Sequence, residues 1–308
     1  MEYGLMVEPQ LGGTYAELLA SARWAEARGM VSFARSDHYS WMGAGAADAT
    51  DAFATLAGLA RETSSIRLAV LVSPLTFRHP AVIAKNAVTI DQMSGGRFDI
   101  GVGTGWMADE HAVYGLEFPD WSERFARLEE ALPYLRAAFS PGHQAFNGAY
   151  YSLDIDARPK PTGKLPIIVG GSGPKRTPTL AGRYADEYNH FIAGTEMLAP
   201  KIEVLRTAAE KAGRDPGSIL ISLMGTVITG RDEAEYHANL SATAAFRGVS
   251  TDEVEREARS QRLPIGTRTE VEAALVPLAE LGVSRLYLQH FAAIVPEELD
   301  RAFGALLD

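Results

Sequence analysis

A (β/α)8 barrel of the TIM type is the fold this chain predicts, on three observations. Eight short apolar runs are spread along the whole 308 residues: 2–7, 31–35, 66–72, 98–103, 166–170, 188–192, 219–228 and 285–290. Their hydrophobicity is nearly continuous rather than alternating, as suits parallel strands covered on both faces. Between them lie stretches with helical spacing, and βα units in series make a parallel barrel. A doubly wound open sheet is the alternative, and a count of eight strands disfavours it.

The elements follow in order. After the first run, Tyr15, Leu18, Leu19, Ala22 and Ala25 recur at helical intervals over 14–29, and Gly29 supplies the stop. Asp51 is placed to cap a second helix over 51–64, whose buried face is Phe53, Leu56, Leu59 and Ala60. A third helix over 122–139 opens at Ser122 and carries Phe125, Leu128, Ala131, Leu132 and Leu135, with Pro133 as an interior irregularity. Residues 268–281 form a late helix that stops at Gly282. Two excursions break the rhythm. Residues 141–165, rich in Pro, Gly and Tyr, read as an extended loop with a short hairpin. The highly charged 231–265 reads as a helical insertion after the seventh strand. Insertions of this size on the active-site side of a barrel serve as lids or oligomer contacts. One domain spanning 1–308 is the expectation.

Composition narrows the chemistry. A net charge of -10 argues against nucleic acid or an anionic membrane as partner. The chain has no cysteine, which excludes disulfides, zinc thiolates and thiol nucleophiles. The start, MEYGLMVEPQ, has neither a basic region nor a long apolar run, and no stretch has the length of a spanning helix. The expectation is a soluble cytoplasmic protein acting on a small molecule.

Candidate site residues gather where strands end, which in a parallel barrel is the ligand-binding rim. The second strand runs into Asp37, His38, Tyr39 and Trp41, just before a Gly/Ala-rich stretch. His38 titrates near neutrality and could carry a proton. Asp37 points to the opposite side and is taken as a ligand anchor rather than as a partner that orients the imidazole. Glu8, after the first strand, reads as a solvated loop carboxylate or as a proton donor. Arg78 could balance an anion, or sit on the surface before a helix. Gly101, Gly103 and Gly105 stand at alternate positions and allow close approach to a planar ligand. This is not the dinucleotide fingerprint, whose spacing differs. Asp109, Glu110 and His111 are consecutive, so on a helix they diverge, and no metal site is expected. The fifth run ends in Gly170-Gly171-Ser172-Gly173, then Pro174, Lys175 and Arg176. A glycine turn at a helix start is a phosphate cradle.

These segments resemble the luciferase-like monooxygenase superfamily, and within it the oxidoreductases that use the 8-hydroxy-5-deazaflavin coenzyme F420. The likeness is carried by SDHYSW (36–41), FRHPAVIAKNAVTIDQMSGGRFDIGVGTGW (77–106), YGLEFPDWSERFARLEEAL (114–132), FNGAYYSL (146–153) and IIVGGSGPKRT (167–177). It extends to RYAD (183–186) and GTRTEVEAALVPLAELGV (266–283). It implies a TIM barrel with the cofactor across the strand ends and a non-prolyl cis peptide at Leu71–Val72. It implies a cofactor-facing set of Asp37, His38, Leu71, Val72, Trp106, Asp109, Gly170, Gly171, Ser172, Gly173, Lys175 and Arg176. His38, or else Glu8, would handle the proton, and a homodimer is the expected assembly. Sugar-phosphate dehydrogenases of this branch carry a glutamate directly after GTG, where this chain has Trp106. That departure points away from a sugar phosphate and toward an apolar, aromatic or unsaturated substrate. An FMN-dependent monooxygenase and a non-catalytic cofactor carrier are the competing functions.

Overall fold

Eight parallel strands close on themselves in the order β1-β12-β9-β8-β7-β4-β3-β2. In chain order these are β1 (Glu2–Val7), β2 (Ser32–Arg35), β3 (Arg67–Pro74), β4 (Phe98–Gly103), β7 (Ile167–Gly170), β8 (Glu187–Phe191), β9 (Leu220–Gly225) and β12 (Val283–His290). The computed structural model describes residues 1–41, 49–292 and 294–308; the Gly/Ala-rich stretch expected after Trp41 lies outside the described residues. The predicted barrel is therefore the observed one. Each barrel strand was visible as an apolar run because its outward side chains meet helices and its inward ones fill the barrel. Outward-facing Leu68, Val70, Ile100, Ile167, Val169 and Leu286 join the main core. Inward-facing Met6, Ala34, Ala69, Leu71, Ile168, Met224 and Tyr287 form a separate cluster inside.

Helices α1 (Tyr15–Ala27), α2 (Ala52–Glu62) and α3 (Pro80–Ser94) follow the first three strands. Thr14 and Glu17 form a reciprocal capping box on α1, and Asp51 accepts the Ala54 amide at 2.9 Å to cap α2 as expected. The short α4 (Ala108–Val113) and long α5 (Trp121–Phe139) follow β4, and α5 runs through Pro133. Its cap is Asp120, which accepts the Glu123 amide at 2.9 Å, so the opening expected at Ser122 lies two residues earlier. The 141–165 excursion contains the antiparallel hairpin β5 (Gln144–Asn147) and β6 (Ser152–Ile155). Helices α6 (Arg176–Tyr184) and α7 (Thr195–Lys211) follow β7 and β8.

One expected strand is divided. The run 219–228 is not one strand: β9 leaves the barrel at Gly225, and β10 (Ile228–Gly230) pairs instead with β11 (Ile265–Thr267) in a separate two-stranded sheet. Between β10 and β11 lie α8 (Glu233–Arg247) and α9 (Thr251–Ser260), the predicted helical insertion. Helix α10 (Arg268–Glu280) and the terminal α11 (Pro296–Leu307) complete the fold. No described helix is long and apolar enough to cross a membrane.

Near the amino-terminal end the barrel interior is charged. Arg285 Nη1 donates to Glu187 Oε2 at 2.8 Å and Nη2 to Glu2 at 2.9 Å, while Arg67 Nε donates to Asp99 at 3.0 Å. Burial drives the Glu187 carboxyl up from its ordinary value of 4.5 to about 7, with Arg285 opposing. A carboxyl raised in the folded state contributes its full stability below its unfolded pKa and loses it as pH rises through the folded value. Glu187→Gln cannot titrate. Thermal melts at about pH 5 and about pH 7.5 should therefore show a wild-type Tm falling by about 3 °C more than the variant's.

Candidate active site

Parallel strands place all their carboxyl ends on one rim, so residues distant in the chain meet there. After β2, Asp37 is 2% exposed. Its carboxylate accepts Ser73 Oγ at 2.6 Å and Arg78 Nη2 at 3.1 Å, with Arg78 Nη1 also in contact. The same guanidinium donates to Tyr39 Oη at 2.7 Å, pairs with Asp51, and lies 4.8 Å over the Phe53 ring. Asp37, expected to anchor a ligand, is thus taken up inside the protein, and Arg78 is a buried partner rather than a surface cation. Together they fasten the end of β2 to β3 and the start of α2.

His38 is the next residue. Its Nδ1 lies 2.9 Å from Glu110 Oε2, and Glu110 Oε1 accepts the amides of Tyr39 and, at 2.9 Å, Ser40. The carboxylate leaves Nδ1 as the donor, and Nε2 has no protein partner among the described residues. Burial works against a charged imidazole. The hydrogen bond to Glu110 and its charge, with Glu8 and Asp37 adding, outweigh that and lift the His38 pKa above its ordinary value. Glu110 moves the other way: burial alone would raise it, but His38 and the two amides hold it down. Two indoles stand edge-on to this imidazole, Trp106 at 5.5 Å and Trp41 at 6.4 Å between centroids. Trp106 is 57% exposed.

Glu8 is not a solvated loop residue. It is buried, accepting Gln10 at 2.7 Å and Gln289 at 2.6 Å, and Ser36 donates to Gln10 at 2.7 Å. This polar chain joins the ends of β1, β2 and β12.

The Leu71–Val72 peptide is cis, at the position the family resemblance implied. The Val72 side chain sits where Cβ atoms on three glycines would intrude: 2.9 Å from one on Gly101, 2.9 Å from Gly103 and 2.8 Å from Gly170. The close approach that Gly101 and Gly103 permit is therefore to Val72, not to a ligand directly. Asp109 is exposed on α4. Its neighbours diverge as expected, Glu110 to His38 and His111 to Thr76 and the Met107 carbonyl, each at 2.7 Å.

Beyond β7, Gly171 has φ +144° and its amide donates to the Asn189 carbonyl at 3.1 Å. The amides of Ser172 and Gly173 donate to no backbone carbonyl among the described residues. Lys175 is exposed at the start of α6. Arg176 lies 3.5 Å from Glu129 and 4.4 Å over the Phe125 ring, so its charge is partly engaged. Lys201 of α7, which the sequence did not single out, is buried. It donates to the Ser172 carbonyl at 2.8 Å and to His190 Nε2 at 2.7 Å.

A cavity of about 590 Å³ adjoins this rim, lined by Trp41, Gln289 and Phe291 on the barrel side and by Val227, Phe246 and Leu263 on the insertion side.

The profile of the luciferase-like monooxygenase family matches residues 1–275. This chain belongs to that family. Among relatives of this luciferase-like protein, an F420-dependent glucose-6-phosphate dehydrogenase of Nocardia farcinica is 35% identical over 265 residues, covering 81% of this chain and 77% of the relative. A pyrimidine monooxygenase, RutA, of Cronobacter sakazakii is 30% identical over 260 residues, covering 81% and 74%. An F420-dependent secondary alcohol dehydrogenase, solved with an F420–acetone adduct, superposes with a TM-score of 0.80 at 22% identity, covering 100% of this chain and 99% of the other.

Two variants test the geometry of this luciferase-like site. Glu110→Gln should lower the His38 pKa, followed by NMR titration of the imidazole, because the charge that offsets burial is gone. Arg78→Met should cost about 3 kcal/mol in urea unfolding, since it strands the buried Asp37.

Proposed function

We propose that this protein is an F420-dependent oxidoreductase, exchanging a hydride between the deazaflavin and a small organic substrate, with His38 carrying the proton. The carrying observation is the His38–Glu110 pair, an imidazole held by one nitrogen and bare at the other, walled by Trp41 and Trp106. The F420-dependent relative at 35% identity supports the choice of cofactor.

The residues present fit a flat ring with an anionic tail. The glycine-lined strand ends let the Val72 side chain pack over them at the barrel mouth. In the turn at 170–173, beside a helix start, the amides of Ser172 and Gly173 donate to no backbone carbonyl among the described residues. Leu71, Val72 and Trp106 would hold the ring, and Gly170, Gly171, Ser172, Gly173 and Lys175 the tail, with Arg176 helping. When bound, the deazaflavin supplies hydride chemistry and little of the oxygen chemistry of a flavin.

The chain's own residues do the rest. Glu110 fixes the His38 tautomer and favours the charged imidazole, which sets His38 to donate from Nε2 in the reductive direction. The two indoles flank the imidazole edge-on and narrow its exposure. Glu8, bound on both oxygens to glutamine amides, stays an acceptor and adds negative potential to the imidazole. A cytoplasmic homodimer belongs to this reading through the family resemblance.

An FMN-dependent monooxygenase is the second reading, supported by the pyrimidine monooxygenase at 30% identity. Titration of the purified protein with F420 and with FMN separates the two, and tight FMN binding without F420 binding moves the chain to the second. His38→Gln should bind F420 normally and lose about 10²- to 10⁴-fold in kcat. In the reductive direction kcat should fall as pH rises through the elevated His38 pKa. In Glu110→Gln that limb should move to lower pH, read from a pH profile.

A further inference from the structure

We propose that the cavity under the α8–α9 insertion is the substrate chamber and that it takes an uncharged, apolar, ring-sized molecule rather than a sugar phosphate. This rests on the function proposed above and adds the substrate class. The cavity, about 590 Å³, lies within the range of sites that enclose small ligands. It shares a wall with the redox rim, Trp41, whose ring lies 6.4 Å from His38 and 6.5 Å from Phe291. A ligand seated there would have one end against Trp41, the indole that also flanks the imidazole.

Its charges are already satisfied. Two cations reach the lining, Arg247 and Arg301. Arg247 pairs with Glu257 at 2.6 Å, and Arg301 pairs with Glu298 and donates to Asn239 at 2.9 Å. Asn239 in turn donates to the carbonyls of Thr229 and Arg301 at 2.7 and 2.9 Å, and Gln289 donates to Glu8. A phosphate dianion entering here would find no unpaired cation among the described lining residues and would meet Glu257. Burying it would cost several kcal/mol. Apolar surface, by contrast, is in surplus. Phe246, 54% exposed, lines the chamber together with Val227, Leu263 and Phe291. Large aromatic surface left open at a cavity wall is what an apolar ligand covers.

trans-Chalcone, a neutral unsaturated ketone with two rings, is the probe, and glucose 6-phosphate is the comparison. Binding is read by quenching of tryptophan fluorescence, with and without F420. Chalcone should saturate the protein and glucose 6-phosphate should not compete. Phe246→Asp places a charge in the wall and should weaken chalcone about tenfold, a loss of about 1.4 kcal/mol. Ala242→Trp, from the half-buried side of α8, should fill the chamber and weaken it as much. Both variants should bind F420 as wild type does, measured on the cofactor's own absorbance. Loss of chalcone binding with F420 binding intact supports the chamber. Chalcone binding that ignores both substitutions, no chalcone binding to wild type, or competition by glucose 6-phosphate overturns it. Failure of F420 to bind wild type instead strikes the cofactor assignment.

Discussion

The buried Asp37–Arg78 pair is the constraint on which the rest of the rim depends. A strand that leaves the barrel must satisfy its last polar groups or stay in water. Here an acid two residues beyond the strand end is closed off by Ser73 and Arg78. That clamp ties β2 to β3 and, through Asp51, to the cap of α2. With Asp37 held inward, backbone alternation turns His38 to the opposite side, toward Glu110 and the two indoles. The imidazole is thus aimed by a neighbour that never touches it. Substitution at Arg78 acts on the site through position, and substitution at Asp37 also removes a charge that helps lift the His38 pKa.

The two carboxylates near His38 differ in what they can do. Glu110 touches Nδ1 and collects two backbone amides, which hold it ionised and make it an orienting group. Glu8 reaches the imidazole only through its field, since its oxygens are taken by Gln10 and Gln289. Both of its oxygens are engaged by amides, whereas His38 keeps Nε2 without a protein partner among the described residues. On the function proposed above, this contrast is why His38 rather than Glu8 is taken as the proton carrier, although both were candidates in the sequence.

The barrel was legible in the sequence because its signal is local: an apolar run needs no knowledge of its neighbours. The exit of the chain from β9 was not. In ILISLMGTVI the apolar residues continue across Gly225, and the break is dictated by β11, which lies some forty residues downstream and supplies the partner of β10. The α5 cap was missed for a smaller reason: Asp120 and Ser122 are both good caps, and only the Glu123 amide chooses between them. Within the site, His38, Trp41 and Trp106 were visible as chemistry placed at strand ends. Glu110 was in view only as a discarded metal ligand, because its role needs the contact with His38, 72 residues away. Consecutive residues of α4 do diverge as expected. The same divergence is what frees Glu110 to face the barrel mouth while His111 faces Thr76.

Lys201 shows how the rim reconciles an acidic protein with an anionic cofactor tail, on the function proposed above. The exposed cations after β7 are poor candidates for most of the work: Lys175 is solvated, and Arg176 is shared between Glu129 and the Phe125 face. Lys201 is buried behind the turn, where burial lowers its pKa. It donates to the Ser172 carbonyl and to His190, whose Nδ1 donates onward to the Phe191 carbonyl at 2.6 Å. A carbonyl held from behind orients its peptide, and an oriented glycine-rich turn presents its amides outward. Recognition of a phosphate would then rest on backbone dipoles fixed by a hidden cation, which tolerates the net charge of -10 better than a ring of surface lysines screened by salt.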